Sequence, residues 1–224
     1  MLVKMKEILD RACKENYAVA AANVYTELNA RAFVEAAEEL NAPLILNYKV
    51  GCHPDTDDII KICLDLAKKS KVPIAVNLDH GDSKEMVLSG IRAGVTGVMI
   101  DKSSKPFEEN VKETKKVVEI AHTVGVSVEA ELGHVGVADN YVVDGKSALT
   151  KVEDAVRFVE LTDVDCLAVA IGTAHGAYPK GMKPEIDFER LASLRKALPE
   201  LPLVLHGSSG TDIEDIRKVC SMGI

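Results

Sequence analysis

Apolar residues along this chain follow two alternating spacings. Long stretches carry an apolar residue at every third or fourth position, as in Ile8, Leu9 and Ala12, which is typical of a helix with one face on a core. Between these stretches lie short apolar runs of strand length, such as Leu44–Tyr48. Strands that alternate with helices at this rhythm indicate a parallel sheet covered by helices.

The pattern predicts seven strands and the helices that connect them. The predicted strands are Tyr17–Val24, Leu44–Tyr48, a run from Pro73 to Asp79 and His80, Gly97–Asp101, Val126–Glu131, and the apolar parts of Cys166–Gly176 and Leu201–Gly210. The predicted helices are Val3–Asn16, Asn29–Leu40, Asp55–Lys69, Ser83–Ala93, Pro106–His122, Val152–Leu161, Asp187–Ala197 and Asp212–Met222. A closed (β/α)₈ barrel needs one more strand, so we expect a barrel that is truncated before its eighth strand.

Composition favours one globular domain that spans residues 1–224. Hydrophobic residues make up 47% and charged residues 28% of the chain, and no stretch has the composition of a linker. A net charge of −8 without a basic block argues against a nucleic-acid partner. A small phosphorylated ligand is still compatible with this charge, because it needs only a few local donors.

Location is predicted from the apolar runs, the N-terminus and the cysteines. No apolar run approaches the ~20 residues of a membrane-spanning helix, and the N-terminus lacks the pattern of a signal peptide. The five cysteines are scattered, which is typical of reduced thiols rather than disulfides. We therefore expect a cytoplasmic protein without a membrane partner.

Three of the predicted strands end in a histidine that precedes a glycine. These histidines are His80, His175 and His206, and the chain contains six histidines in all. Strand carboxyl ends meet on one face of a parallel barrel, so the three imidazoles are expected to lie together. Neutral imidazole is the commonest metal ligand, and catalytic zinc takes three protein ligands. The sequence therefore favours a zinc site over ordinary loop histidines.

Carboxylates and a glycine-rich turn accompany these histidines. Asp79 lies beside His80, where it can take and return a substrate proton. Glu129 and Glu131 face the same side of one strand, and interior carboxylates need a metal, a partner or a proton. The turn Gly207–Gly210 offers N–H groups and hydroxyls to a phosphate.

Each of these features also has a simpler interpretation. Asp79 can cap a turn, Glu131 can pair with a lysine, and glycine-serine turns are common between a strand and a helix. The connection Gly133–Thr150 is longer than the ~2–6 residues usual at such a position, so we interpret it as a lid.

Five segments of the chain carry a resemblance to a known family. They follow one another along essentially the whole sequence and resemble the class II, zinc-dependent fructose- and tagatose-bisphosphate aldolases, or ketose-bisphosphate aldolases. The segments are Val76–Gly81, Pro106–Val111, Ser127–Gly133, Ala168–Gly176 and Leu203–Gly207.

The resemblance implies a TIM barrel that reversibly cleaves a ketose bisphosphate to dihydroxyacetone phosphate and an aldehyde, glyceraldehyde 3-phosphate. The implied partners are a phosphorylated sugar and further copies of the chain, as a homodimer or homotetramer. Breaking a carbon–carbon bond beside a carbonyl leaves an enediolate, whose charge a Lewis acid such as zinc stabilises. The family allows a second divalent or monovalent cation beside the one catalytic zinc.

The resemblance also assigns roles to individual positions. His80, His175 and His206 match the zinc ligands, and Asp101 and Glu131 match carboxylates near the metal pocket. Asp79 matches the acid/base aspartate, and Asp139 in the lid matches an acid that helps to move the substrate proton. The positions matched to substrate and phosphate binding are Asn23, Gly176, Gly207, Ser208, Ser209 and Gly210.

The chain departs from the family pattern at several points. Lys49 stands where the family more often has a serine, Ser208 replaces a glycine, and Val137–Asp139 replaces a lid richer in glycine and glutamate. The phosphate contacts of the eighth strand are also missing. We therefore expect a truncated form of a longer aldolase, which would be prone to aggregation and a poor catalyst.

Two alternatives to an aldolase follow from the same residues. A metal-dependent hydrolase on this barrel commonly has a His-x-His pair on its first strand, and the absence of histidine from Tyr17–Val24 argues against it. A truncated or regulatory aldolase paralogue without turnover is favoured by Lys49, Ser208 and the missing strand. An aldol-cleavage assay with and without zinc separates all three.

Overall fold

The computed structural model describes residues 1–138 and 149–224, which form one parallel sheet with helices around it. The strands are β1 (Ala20–Asn23), β2 (Leu44–Tyr48), β3 (Ile74–Gly81), β4 (Gly97–Ile100), β5 (Ser127–Leu132), β6 (Cys166–Val169) and β7 (Leu203–Val204). Each strand pairs in parallel with the next one along the chain, so the sheet order is β1 to β7. This arrangement confirms the predicted TIM-like α/β fold without an eighth strand in the described residues.

One helix precedes β1, and the others follow the strands along the chain and cover the outside of the curled sheet. The described residues contain α1 (Met5–Glu15), α2 (Glu27–Glu39), α3 (Thr56–Lys69), α4 (Lys84–Ala93), α5 (Phe107–Thr123), α6 (Val152–Thr162), α7 (Phe188–Ala197) and α8 (Ile213–Ser221). Within these ranges, no helix combines the length and the apolar character needed to cross a membrane.

The predicted elements exist, and the differences lie at their ends. Helix α2 begins two residues earlier than predicted because Thr26 and Asn29 form a reciprocal capping box. The sequence pattern overlooked this box because asparagine takes the place of the usual glutamate or glutamine. The last strand, predicted from Leu201, shortens to Leu203–Val204, the only residues of the stretch in strand β7.

The two faces of the sheet have different roles. Leu44 and Leu46 of β2 pack in the main core against the helices. Ile45 lies between them in sequence and belongs to a second apolar cluster, since successive strand residues point to opposite faces. This second face is the barrel interior, where Asn77 donates a hydrogen bond to Asn47 at 3.1 Å.

Helix α1 closes the interior at the amino-terminal end of the strands. Met5 and Ile8 are buried there together with Ala75 of β3. Gly97 makes room for this helix, because a Cβ at that position would lie 2.9 Å from the sulfur of Met5. Apolar side chains of α1 therefore pack against this end of the interior, and the clustered histidines lie at the carboxyl-terminal end.

Candidate metal centre

The structure brings the three predicted histidines together at the carboxyl-terminal end of the sheet. The ring centroid of His80 lies 4.7 Å from that of His175 and 4.6 Å from that of His206, and the last two are 5.6 Å apart. One ring nitrogen from each lies within 4.8 Å of the others. Their proximity follows from the parallel order of β3, β6 and β7.

A local irregularity of β3 places His80 in this cluster. Simple strand alternation would send Asp79 and His80 to opposite faces of the sheet. The register between β3 and β4 shifts between Leu78 and Gly81, and His80 has a left-handed φ of 49°. Bulges of this kind re-aim side chains, and strained backbone concentrates at functional sites. Both side chains can therefore reach the same pocket.

The ring nitrogens of two histidines suit a metal ion. Nδ1 of His80 is hydrogen-bonded to Oδ2 of Asp101 at 2.9 Å. Nε2 of His80 is buried and has no partner in the described residues. Nε2 of His175 is also buried and unpartnered there. Buried polar atoms normally have a hydrogen-bond partner. Two unpartnered ring nitrogens in one pocket are therefore suited to donate their lone pairs to a metal ion.

The protonation of His175 also fits a ligand role. Burial is the main cause that lowers the pKa of His175 to about 3, and the nearby rings of His80 and His206 act in the same direction. The imidazole is therefore neutral near pH 7, which is the form that binds metals. The residues present thus fit a divalent cation held by three histidines, although their role as ligands stays a prediction.

Asp79 lies in the wall of the same pocket. Its side chain is buried, and Oδ1 lies 3.9 Å from Nε2 of His80 without a hydrogen bond in the described residues. Burial raises the pKa of Asp79 above its usual range, in opposition to the charges of His80 and His206. A carboxyl group with a raised pKa is better suited to exchange protons with a substrate near neutral pH.

Asp101 and Glu131 form a second group with His80. One atom from each of these residues lies within 4.8 Å of the others. Burial alone would raise the pKa of Asp101, but hydrogen bonds from His80 and Ser103 outweigh it and lower the pKa. Glu131 is 0% exposed, and burial raises its pKa. One Glu131 oxygen accepts from the N–H of Val135 at 2.8 Å, and the other has no partner in the described residues.

Glu129 belongs to the site, although the sequence analysis gave it no role. Its Oε1 lies 2.7 Å from Nε2 of His206, and both side chains are buried. Burial would lower the pKa of His206, but the hydrogen bond and the charge of Glu129 raise it to about 9. The signal in the sequence was the two-residue spacing of Glu129 and Glu131 on one strand.

The loops after β6 and β7 are held together beside His175 and His206 by a hydrogen bond and a close backbone contact. Thr173 donates a hydrogen bond to the carbonyl oxygen of His206 at 2.6 Å, and the N–H of Ala174 donates to the hydroxyl of Tyr178 at 2.6 Å. Gly207 has a φ of 71°, and a Cβ there would lie 2.6 Å from the carbonyl carbon of Ala174. Only glycine permits this approach of two backbones.

The predicted phosphate-binding residues lie in and around these two loops. Gly207 to Gly210 form the turn before α8, where Ser208 and Ser209 are exposed, and Gly176 has a φ of 92° with open space beside it. Asn23 ends β1 at the same edge of the sheet, and its side chain is not bonded to the cluster in the described residues. These residues thus share an edge, and their binding role stays a prediction.

Part of the predicted lid is anchored to the backbone of His175. The N–H of His175 donates to the carbonyl oxygen of Gly136, and the N–H of Ala138 donates to that of His175, both at 2.8 Å. Asp139, the predicted proton-transferring acid of the lid, lies outside the described residues, as does most of the remaining connection.

Lys49 lies just beyond the carboxyl end of β2, where its charge acts on Asp79 and His175. It follows the last residue of β2 and is exposed, and by strand alternation it shares the interior face with Asn47. Burial has the largest effect on the pKa of Asp79, and the positive charge of Lys49 acts against it. Lys49 is therefore an exposed cation near the cluster that makes no ion pair within the described residues.

The fold and this cluster together define a β/α-barrel protein with a candidate metal centre. The family model "Fructose-bisphosphate aldolase class-II" matches residues 3–224. A fructose-bisphosphate aldolase of Thermus caldophilus is 46% identical over 248 aligned positions, which cover all of this chain and 81% of the relative. The chain belongs to the class II fructose-bisphosphate aldolase family.

Solved structures show the same relationship. The YdjI aldolase of Escherichia coli has a TM-score of 0.88 at 34% identity, with 100% of this chain and 80% of that chain covered. A putative fructose-1,6-biphosphate aldolase of Coccidioides immitis has a TM-score of 0.88 at 27% identity, with 99% and 79% covered. These likenesses favour an aldolase over a paralogue without turnover.

Proposed function

We propose that this chain is a metal-dependent aldolase that reversibly cleaves a ketose bisphosphate of the fructose or tagatose 1,6-bisphosphate type. The products would be dihydroxyacetone phosphate and glyceraldehyde 3-phosphate. The observation that carries the proposal is the convergence of His80, His175 and His206, with two buried ring nitrogens that lack a partner in the described residues. Membership of the class II fructose-bisphosphate aldolase family supports the reaction type.

The three histidines would hold one zinc ion. Zinc bound there would supply Lewis-acid stabilisation of the negative charge that develops when the carbon–carbon bond breaks. An imidazole binds a metal in its uncharged form, so three such ligands would leave the charge of the cation uncompensated, which supports this role. Asp101 and Glu131 would offer carboxylate oxygens to a second divalent or monovalent cation beside His80, since Glu131 has an oxygen without a partner in the described residues.

Asp79 would act as the acid/base group on the aldehyde side of the substrate. Cleavage removes a proton from a substrate hydroxyl, and condensation returns it. The buried position of Asp79 beside His80 supports this assignment, because a carboxylate there is shielded from water and opens onto the pocket. Asp139 would move the other substrate proton, as its match to the family pattern implies.

The two loops after β6 and β7 would together bind the phosphate of the dihydroxyacetone phosphate moiety. Gly176, Gly207 and Gly210 have left-handed backbone conformations that expose N–H groups, and Ser208 and Ser209 add hydroxyls. Asn23 would contribute from β1. In barrels of this class, a phosphate site after the last strands is frequent.

Lys49 would bind the second phosphate, at the aldehyde end of the substrate. Its exposed ammonium group shares a face with Asp79, which places a positive charge on the side where that end would lie. An ammonium group is a strong partner for phosphate. This assignment supports a bisphosphate over a monophosphate substrate.

We also infer a cytoplasmic enzyme that assembles into a homodimer or homotetramer. The described cysteines are all free thiols, as expected in a reducing compartment. The assembly is the one that the resemblance to ketose-bisphosphate aldolases implies, and membership of the family supports it. Light scattering coupled to size exclusion tests the assembly, and a monomer at all concentrations would contradict it.

Metal analysis and an aldol-cleavage assay test the proposal together. We expect the purified chain to bind one zinc per chain and to cleave fructose or tagatose 1,6-bisphosphate only when metal is present. The double variant His80→Ala/His175→Ala should lose both properties. His122→Ala is the matched control, because His122 is paired with Asp165 outside the cluster. Full zinc occupancy in the double variant would refute the zinc site.

A further inference from the structure

Glu129 is a buried carboxylate that has no role in the reaction proposed above. It lies on the interior face of β5 and is 4% exposed. Its Oε1 is 2.7 Å from Nε2 of His206, which is a short hydrogen bond to an imidazole. A carboxylate in the interior costs free energy, so its presence calls for a function.

Two of the three clustered histidines have a carboxylate on one ring nitrogen. Asp101 engages Nδ1 of His80, and Glu129 engages Nε2 of His206. The opposite nitrogen of each ring therefore remains for another partner, which is Nε2 in His80 and Nδ1 in His206. A hydrogen bond to one nitrogen selects the tautomer and the ring orientation of a histidine.

We propose that Glu129 is a positioning residue that holds His206 through Nε2, so that Nδ1 is the atom presented to the metal. The proposal rests on the function proposed above, in which His206 is a metal ligand. It assigns Glu129 no contact with the substrate. Carboxylate partners of metal-binding histidines also increase the basicity of the ligand nitrogen, which strengthens the bond to the metal.

A purely structural role for Glu129 makes a different prediction. Removing one partner of a buried pair leaves the other partner unpaired and destabilises the fold, so Glu129→Leu on its own reports on packing as well as on the metal. If Glu129 stabilised only the fold, its variants would lower the melting temperature of the metal-free chain and leave the zinc affinity of the folded chain unchanged.

Zinc affinity of the full chain, measured by competition with a chromophoric chelator, tests the proposal. We expect Glu129→Leu to weaken zinc binding by about 10- to 100-fold, the usual cost of losing such a partner. Glu129→Gln should weaken it less, because a carboxamide oxygen can still accept a hydrogen bond from Nε2. Thermal unfolding of the metal-free chain supplies the second readout, and in Glu129→Gln it should change little, because the hydrogen bond to Nε2 is kept.

Asp165→Asn is the matched control. Asp165 is also a buried carboxylate bonded to a histidine, with 2.9 Å to Nε2 of His122, but it precedes β6 at the opposite end of the sheet. This variant should bind zinc like the unmodified chain. If both Glu129 variants bind zinc with an affinity within twofold of that of the unmodified chain, the positioning role of Glu129 is overturned. The proposed function is not affected by that result.

Two further outcomes are also decisive. If the unmodified chain binds no zinc, the proposed function fails, and the positioning role fails with it. If both Glu129 variants lose their folded structure, Glu129 is a structural residue and the proposal is overturned. Glu129→Gln conserves size and polarity, so it distinguishes this outcome from a packing defect of the leucine variant.

Discussion

Substitution of Gly172 by alanine should destabilise the chain and disturb the metal centre. Gly172 follows β6 by three residues and precedes His175 by three, and its φ is 117°. A Cβ at this position would lie 2.0 Å from the carbonyl oxygen of Glu185. Carbon and oxygen normally approach to about 3.3 Å, so one of the two backbones must move by more than ~1 Å.

The cost of this movement can be estimated from two contributions. An alanine in a left-handed conformation costs about 1–2 kcal/mol. Overpacking adds about 1–3 kcal/mol, because the displaced segment also carries the hydrogen bond from the N–H of Asp187 to the carbonyl oxygen of Ile171 at 2.8 Å. We therefore expect Gly172→Ala to lower the free energy of unfolding by about 2–5 kcal/mol, from the sum of these contributions.

Gly181 provides the matched control within the same connection. Its φ is 85°, and a Cβ there would meet nothing within 4 Å. Gly181→Ala should therefore cost only the conformational contribution of about 1–2 kcal/mol. In a chain of this size, each kcal/mol lowers the melting temperature by about 2–4 °C, so thermal and urea unfolding resolve the difference.

The same pair of variants tests the link to the site. Displacement of the backbone at Gly172 should move His175, so Gly172→Ala should also weaken zinc binding, whereas Gly181→Ala should not. Equal losses of stability in the two variants would show that the close approach to Glu185 does not constrain this loop. Unchanged zinc affinity in Gly172→Ala would show that the loop does not position His175.

Three other predictions concern single residues. Asp79→Ala should retain zinc and lower kcat by ~10²–10⁴-fold with little change in KM, and an unchanged kcat would remove Asp79 from the reaction. Lys49→Ser should raise KM for a bisphosphate more than for the matching monophosphate, and equal effects would argue against a phosphate contact. Burial raises the pKa of Cys63 to about 12 and that of Cys166 well above its usual value, so both stay as unreactive thiols at pH 8. Exposed Cys52 should react with a thiol reagent in the folded chain, and rapid modification of all three would contradict this packing.

Much of the site could be predicted because parallel strands end on one face. The prediction that His80, His175 and His206 lie together needed only their shared position at strand ends, and the ring distances confirm it. The resemblance to the aldolases, and not strand position, assigned Asp101 and Glu131 to the metal pocket, and the structure places both near His80. Strand position did not assign a partner to Glu129, because strand periodicity gives the face of a residue and not its neighbour across the barrel.

The amino-acid sequence by itself determined the order of the elements and their class. Apolar spacing distinguishes helices from strands locally, and the alternation of the two leaves a parallel sheet as the arrangement that buries both faces. The histidines and carboxylates at the strand ends, such as His175 and Asp101, then follow from chain order alone.

Only the tertiary structure decided the details that depend on contacts between distant segments. Strand alternation would separate Asp79 from His80, and the bulge that unites them arises from pairing between β3 and β4. The bond from Glu129 to His206 joins residues 77 positions apart, and the approach of Gly207 to Ala174 joins two loops. Periodicity is a property of neighbouring residues, whereas these contacts depend on how the whole sheet curls, so no local pattern encodes them.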